Sequence, residues 1–395
     1  MDRNAREVGT LRRARARIGA GRSIGAWALI CTLAALLSAA TPCGAALVAA
    51  PTLPAARAAA ADAVTCEQAS GDVAIAACTR AIASGTYDGR DLAKLHYDRA
   101  VEHGNKGDND RAVADFSEAI RLDPNDAAAF YGRGNARQAK GDNDRATADF
   151  SEAIRLDPKR AASYNNRGTA WLAKGDYDRA NADFSAAIRL DPKDADFYNN
   201  RGSSWQLKGD HDRAIADYNE AIRLDPKDAC ALYNRGIAWS SKGDGDRAIA
   251  DFSAAIRLEL NYAAALHHRG IAWSEKGDNE RAIADYSEAI RLGPKADLYH
   301  HRGIAWSDKG DYDRAIADFD EAIRLDPKLA DAFDDRGTAW LAKGDYDRAI
   351  ADFSEAIRLD PKDASFYNNR ANAWRAKGDN YRAIADYGEA RRLMR

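Results

Sequence analysis

Apolar residues recur along most of this chain three and four positions apart, the spacing of one face of an α-helix. Within residues 161–194, Tyr164, Gly168 and Trp171 form one stripe, and Ala180, Phe184, Ala187 and Ile188 form a second. Between them stands Lys174-Gly175-Asp176. Gly175 can take the left-handed conformation that ends a helix, with Lys174 at its negative end. Asp176 can then cap the next helix at its N-terminus. Asp191-Pro192 closes the second stripe, because proline disfavours helical geometry in the residue before it. The segment therefore predicts a helical hairpin, helix A followed by helix B.

The same pattern returns along the chain. Lys-Gly-Asp begins at Lys106, Lys140, Lys174, Lys208, Lys242, Lys276, Lys309, Lys343 and Lys377, at steps of 34 with a single step of 33. Neither helix of a unit can bury its stripe alone, so the core must form between neighbours, giving an all-α solenoid with contacts local in sequence.

With Ala161 as position 1, small residues fall at positions 8, 20 and 27 (Gly168, Ala180, Ala187), an aromatic at 24 (Phe184) and proline at 32 (Pro192). In these positions the unit resembles the tetratricopeptide repeat (TPR), and the resemblance covers residues 93–395 as nine tandem units. It implies a right-handed superhelical solenoid of helix-turn-helix units whose helices A line a concave groove. Extended peptides or partner helices lie in that groove in the family. Two departures recur. Position 7 is Arg rather than Leu, and position 11 is Trp in the last seven units. Every Arg at 7 has an Asp at 23, from Arg99/Asp115 through Arg167/Asp183 to Arg370/Asp386. The two positions lie symmetrically about the turn, which predicts an ion pair inside each hairpin.

Turn and core positions barely change between copies, whereas positions 5, 6 and 9 of helix A do; by the resemblance these line the groove. Asn165-Asn166, Asn199-Asn200 and Asn368-Asn369 are suited to a peptide backbone, because an amide side chain both donates and accepts. The middle units carry Tyr233-Asn234 with Ile237, His267-His268 with Ile271, and His300-His301 with Ile304. Beside them the spacing is irregular: Leu260 replaces the proline, Gly293 replaces the Asp, and one residue is missing between Pro294 and Leu298. This stretch is the candidate site for a protein or peptide partner; drift in a duplicated array is the plainer explanation. A second reading, from another class, is a small-ligand or metal-binding protein centred on the paired histidines. Adjacent histidines on one helix diverge by about 100°, so each pair offers at most one ligand to a shared site. There is no G-x-x-x-x-G-K-[ST], G-x-S-x-G or H-E-x-x-H, and no catalytic constellation. Neither an enzyme nor a bound cofactor is expected.

Charge and cysteine change the picture at the ends. Residues 1–58 hold eight Arg against Asp2 and Glu7, a net of +6; the whole chain is −3, so the remainder is −3 − 6 = −9. An acidic body excludes non-specific nucleic-acid binding. Seven Arg in the first 22 residues precede an uncharged apolar run and the small residues around Pro42, which reads residues 1–45 as an export signal. The rival is an uncleaved anchor, with membrane contact through residues 24–50 only. Either places the repeats outside the cytoplasm, periplasmic or secreted in the first case and tethered to the inner membrane in the second. Residues 46–61, rich in Ala and Pro, read as a linker. Residues 62–92 read as a degenerate N-terminal hairpin: aligned on Gly71-Asp72, Ala76 falls at position 20 and Ala83 at 27. Cys66 and Cys78 flank its turn, and in an exported chain that spacing favours a disulfide. Cys230 is left as a free thiol or an intermolecular link. In the last unit position 28 is Arg391 where every earlier full unit has Ile, a makeshift cap.

Overall fold

The computed structural model describes residues 53–394, which form twenty helices and no strand. The first pair is α1 (Leu53–Gln68) and α2 (Gly71–Ala83). Helices A and B of the nine units then alternate: α3 (Gly89–Asn105), α4 (Asn109–Leu122), α5 (Ala127–Ala139), α6 (Asn143–Leu156), α7 (Ala161–Ala173) and α8 (Tyr177–Leu190). They continue as α9 (Ala195–Lys208), α10 (His211–Leu224), α11 (Ala229–Ser241), α12 (Gly245–Leu258), α13 (Ala263–Glu275) and α14 (Asn279–Leu292). The last six are α15 (Ala296–Asp308), α16 (Tyr312–Leu325), α17 (Ala330–Ala342), α18 (Tyr346–Leu359), α19 (Ala364–Lys377) and α20 (Asn380–Leu393). Each helix packs on its two chain neighbours and touches the helix two along only through the A series or between α1 and α3, so the array is a solenoid of local contacts.

The turns follow the chemistry of Lys-Gly-Asp. Gly175 has φ +76° and Asp176 accepts from the Arg179 amide at 3.1 Å. At the other end of the hairpin, Asp at position 34 caps four following helices, as Asp126 does for the amides of Ala128 and Ala129. The irregular junctions lack this. Tyr262 and Lys295 stand at the N-caps of α13 and α15 and make no side-chain cap. The missing residue before Leu298 is taken up in the connecting segment.

In the seven units with glycine at position 8, the position-24 ring lies against that glycine. A Cβ on Gly236 would stand 2.6 Å from the Phe252 ring, so the glycine is required by close approach. Where position 8 is Ala100, the Phe116 ring instead fills the space at Gly132 of the next unit, 2.4 Å from where a Cβ would sit.

The N-terminal pair departs from expectation in two ways. Residues 53–61, expected as linker, are the first half of α1. Alanine has the highest helix propensity of any residue, and Pro54 in the first turn has no N–H to leave unpaired. The register of α2 also differs: Ala74, Cys78 and Ala81 are buried while Ala76 and Ala83 are exposed. Position 20 is therefore Ala74, and Cys78 stands where other units have the aromatic. Cys66 and Cys78 are joined as a disulfide with their Cα atoms 4.7 Å apart, so a covalent bond occupies the place of the glycine–aromatic contact. The connection is four residues shorter than in the other units, because their positions 8 and 24 are 16 apart and these cysteines are 12 apart. The leader reading of residues 1–45 lies outside the described residues, among which no helix is long and apolar enough to cross a membrane.

Candidate functional site

Positions 5 and 6 of helix A form one continuous ladder. The side chain at position 6 of each unit meets the side chain at position 5 of the unit before. Asn166 Nδ2 donates to the Tyr131 hydroxyl at 3.0 Å, Asn200 Nδ2 to Asn165 Oδ1 at 2.9 Å, and Asn234 Nδ2 to Asn199 Oδ1 at 3.1 Å. The rungs change chemistry in the middle and persist. His268 Nδ1 lies 3.2 Å from the Tyr233 hydroxyl, and His301 Nδ1 3.3 Å from His267 Nε2. His300 Nε2 lies 2.7 Å from Asp335 Oδ2, and Asn369 Nδ2 donates to Asp334 Oδ2 at 2.9 Å. The ladder begins only at Tyr131 because position 6 of the preceding rung is Gly132, whose space Phe116 occupies.

The candidate groove residues are thus brought together, and they engage one another. Among the described residues, the Asn199 NH2 group and the side-chain oxygens of Asn200 and Asn234 make no further hydrogen bond. Asn368, at the open end of the ladder, has both halves of its amide in that condition. Thr169 and Ser203 turn their hydroxyls back onto the carbonyls of Asn165 and Asn199, both at 3.0 Å. Ile237 is half-buried. Ile271 packs towards Leu266 and Tyr286, and Ile304 towards Ile316 and Phe319.

The histidines are held rather than open. Burial, reinforced by the His301, His268 and Lys295 charges, pushes His267 down to about 3. Burial also lowers His301, whose Nδ1 lies 2.6 Å from the Asp297 carbonyl oxygen. With a carbonyl as neighbour, Nδ1 of His301 must carry the proton and donate it, leaving His267 Nε2 as an acceptor on the same edge. No three His, Cys, Asp or Glu side chains converge as a metal-holding group among the described residues. The metal reading therefore lacks a ligand set. Burial raises Asp334 to about 6, only partly offset by Asn369.

Behind the ladder lies a second array. Arg201 donates from Nε and Nη2 to both oxygens of Asp217, at 2.8 and 2.7 Å, and from Nη1 to Ser185 of the preceding unit at 2.9 Å. The same fork joins Arg269 to Asp285 and Ser253, and Arg370 to Asp386 and Ser354. The ion pair was expected from the sequence. The link to position 25 of the preceding unit was not, although a polar residue at 25 in every full unit before the last (Ser, with Asn219 and Asp320 as the exceptions) was its visible sign. The Asp217 hydrogen bond holds Arg201 above its ordinary value against burial. A third array lies on the exposed turn edge, where Lys at 14 pairs with an acid at 18 of the unit before, as in Lys208–Asp178 and Lys309–Glu280. Beside it Trp at 11 lies under Arg at 19, as Trp239 lies 4.3 Å beneath Arg247.

The Tetratricopeptide repeat family matches over residues 131–195, 165–229, 208–259, 233–297, 269–330, 301–363 and 335–393, and a TPR repeat matches over 105–141. These spans cover well over half of the chain, and the protein belongs to the tetratricopeptide repeat family. Among solved structures, a tetratricopeptide repeat protein from Parabacteroides merdae is 19% identical with a TM-score of 0.50, covering 62% of this chain and 98% of that one. YrrB, a TPR protein with an unusual peptide-binding site, is 24% identical over 49% of this chain and 97% of its own, with a TM-score of 0.40. MamA is 27% identical over 43% of this chain and 94% of its own, also with a TM-score of 0.40. No curated protein sequence matches the chain. The protein is a repeat scaffold of the kind that mediates protein–protein interaction.

Proposed function

We propose that this protein is an exported scaffold that grips a protein or peptide partner along the ladder face of its A helices. The observation that carries the reading is the half-used ladder. Asn165 and Asn166 spend both halves of their amides on each other, Tyr131, Asn135 and Asn200, whereas Asn199, Asn200, Asn234 and Asn369 are fixed in place by one half and leave a donor or an acceptor over. A peptide main chain offers the complementary N–H and C=O groups, so such a surface binds extended backbone with little dependence on sequence. Because the amides are already held by their neighbours, little side-chain entropy is lost when a ligand arrives. Tyr233, His267, His300 and the isoleucines Ile237, Ile271 and Ile304 add an aromatic and aliphatic stretch between the two Asn regions, where side chains of the partner would be read.

The leader supports export: its basic start, uncharged apolar run and small residues near Pro42 have the order of an export signal. The repeats then work in the periplasm or outside the cell, or on the outer side of the inner membrane if residues 24–50 are retained. The Cys66–Cys78 bond accords with an oxidising compartment.

Affinity capture from the cell-envelope fraction tests the groove, with the full chain compared against Asn199→Ala/Asn200→Ala and against Tyr233→Ala/His267→Ala. The same partners are expected with the native chain and reduced recovery with each variant; equal recovery from all three rejects the ladder face as the binding surface. Fractionation with intact-mass measurement tests export, and an unprocessed chain in the cytoplasm rejects it.

A further inference from the structure

The last helix presents a face unlike that of any helix B before it. At the preceding junction, Asp347 of α18 pairs with Lys377, Ile350 is 9% exposed in the seam, and Ser354 accepts from Arg370. The corresponding positions of α20 are Tyr381, Ile384 and Gly388, followed by Arg391 in place of Ile357. Tyr381 is 86% exposed and Ile384 71%. A Cβ on Gly388 would meet nothing within 4 Å. The positions that hold the next unit's lysine and arginine at the preceding junction, Asp347 and Ser354, are Tyr381 and Gly388 in α20, so this face carries neither of those links. Tyr381, Ile384, Gly388 and Arg391 are spaced three, four and three apart, which puts them on one stripe about 15 Å long.

That stripe is its own complement. Turned end for end about the midpoint near Asp386, it sets Ile384 over Gly388 of a second copy and Tyr381 over Arg391. A glycine lets helices approach closely and leaves a hole that a facing aliphatic side chain fills. A guanidinium over a tyrosine ring is attracted by the ring quadrupole, the contact this chain already uses within its units, as between Arg302 and Tyr299 at 5.5 Å. The same rotation sets Arg392 against Asn380, so no arginine of the stripe opposes another.

We propose that α20 is a self-association surface, through which two copies of this chain pair by antiparallel crossing of their last helices about a two-fold axis. The groove of each copy stays clear, because the ladder lies on the A helices, and the pair offers two binding faces to one partner. The inference does not depend on what the groove binds.

Sedimentation of the full chain is the test. A patch confined to one helix belongs with small, weak interfaces, so the mass should rise from one chain at about 1 μM towards two at about 100 μM. Ile384→Glu, at a site already in solvent, should hold the mass at one chain across the range, with an unchanged helical circular dichroism spectrum. Geometry is read separately in a Cys31→Ser/Cys43→Ser/Cys230→Ser background, which keeps only the Cys66–Cys78 pair. Oxidation should link Ile384→Cys to Gly388→Cys in a mixture at least ten times more than it links either variant to itself. A single-chain mass throughout, association that Ile384→Glu leaves intact, or preferential linkage of like positions overturns the proposal. Association that survives Ile384→Glu would assign pairing to another part of the chain.

Discussion

Arg at position 7 does work that a leucine cannot. It is the family's departure that looks most hazardous, a cation beside a packed seam, and the structure answers it with a bidentate carboxylate and a hydroxyl from the neighbouring unit. Asp285 is 7% exposed and has Arg269 as its strong partner. Arg269→Ala should therefore destabilise the array by about 3–5 kcal/mol, because it leaves a carboxylate buried alone. Ser253→Ala removes one neutral-to-charged hydrogen bond and should cost less, about 1.5–3 kcal/mol. Urea unfolding of the two variants checks the order. Equal losses would mean that the link between units matters as much as the pair within one. Gly236 makes the complementary case, since its constraint is space rather than charge. Gly236→Ala puts a methyl 2.6 Å from the Phe252 ring and should cost about 1–3 kcal/mol by forced displacement, against the gain usually expected for alanine in a helix.

Between elements, the seams differ in quality. From α10 onward, position 21 of helix B is Ile in every full unit, as in Ile215 and Ile249, both nearly buried. Earlier it is Val113, then Thr147 and Asn181, and both polar atoms of Asn181 lie buried without a partner, as does Ser163 Oγ. Each orphaned polar group opposes folding by about 1–3 kcal/mol. Asn181→Ile should accordingly stabilise the protein by an amount of that order, read as a higher urea midpoint with an unchanged slope; a lower midpoint would show that the seam is too tight for the larger side chain. Much of this was legible in advance. The period of 34, the Lys-Gly-Asp turns and the Arg/Asp pairing are written in residue type and spacing, and local contacts let one unit be solved for all nine. What the sequence hid is what depends on neighbouring units: the rungs between positions 5 and 6, the arginine reaching back to position 25, and the ring of Phe116 filling the place of Gly132. In α2, Gly71-Asp72 imitates the turn of the other units, whereas the buried alanines and the cysteine pair set the pairing. For the Ala-rich residues 53–61, composition without periodicity does not reveal that a partner helix lies alongside.

For the molecule as a whole, the ladder has a titrating stretch set between uncharged ends, and acid acts on it in two opposing ways. His267 sits at about 3 in the folded chain against about 6.5 unfolded, so the unfolded state binds the extra proton and stability is lost as pH falls below 6.5 towards 3. His301 acts in the same direction. Asp334 works the other way. Raised to about 6 from an ordinary 3.8, it favours the folded state at low pH, and this contribution fades as pH rises through 6. Asp334→Asn should therefore raise stability at pH 8, on the order of 2 kcal/mol, and change little at pH 4. His267→Phe should instead flatten the acid loss while leaving stability above pH 7 nearly unchanged. In a chain of nearest-neighbour contacts such effects stay local. Hydrogen exchange should consequently show α13 and α15 losing protection between pH 7 and 4.5 and α17, which carries Asp334, gaining it, while α7 and α9, whose rungs are uncharged, keep theirs. Uniform loss along the array would mean that the units unfold together and that the middle rungs have no separate response to pH.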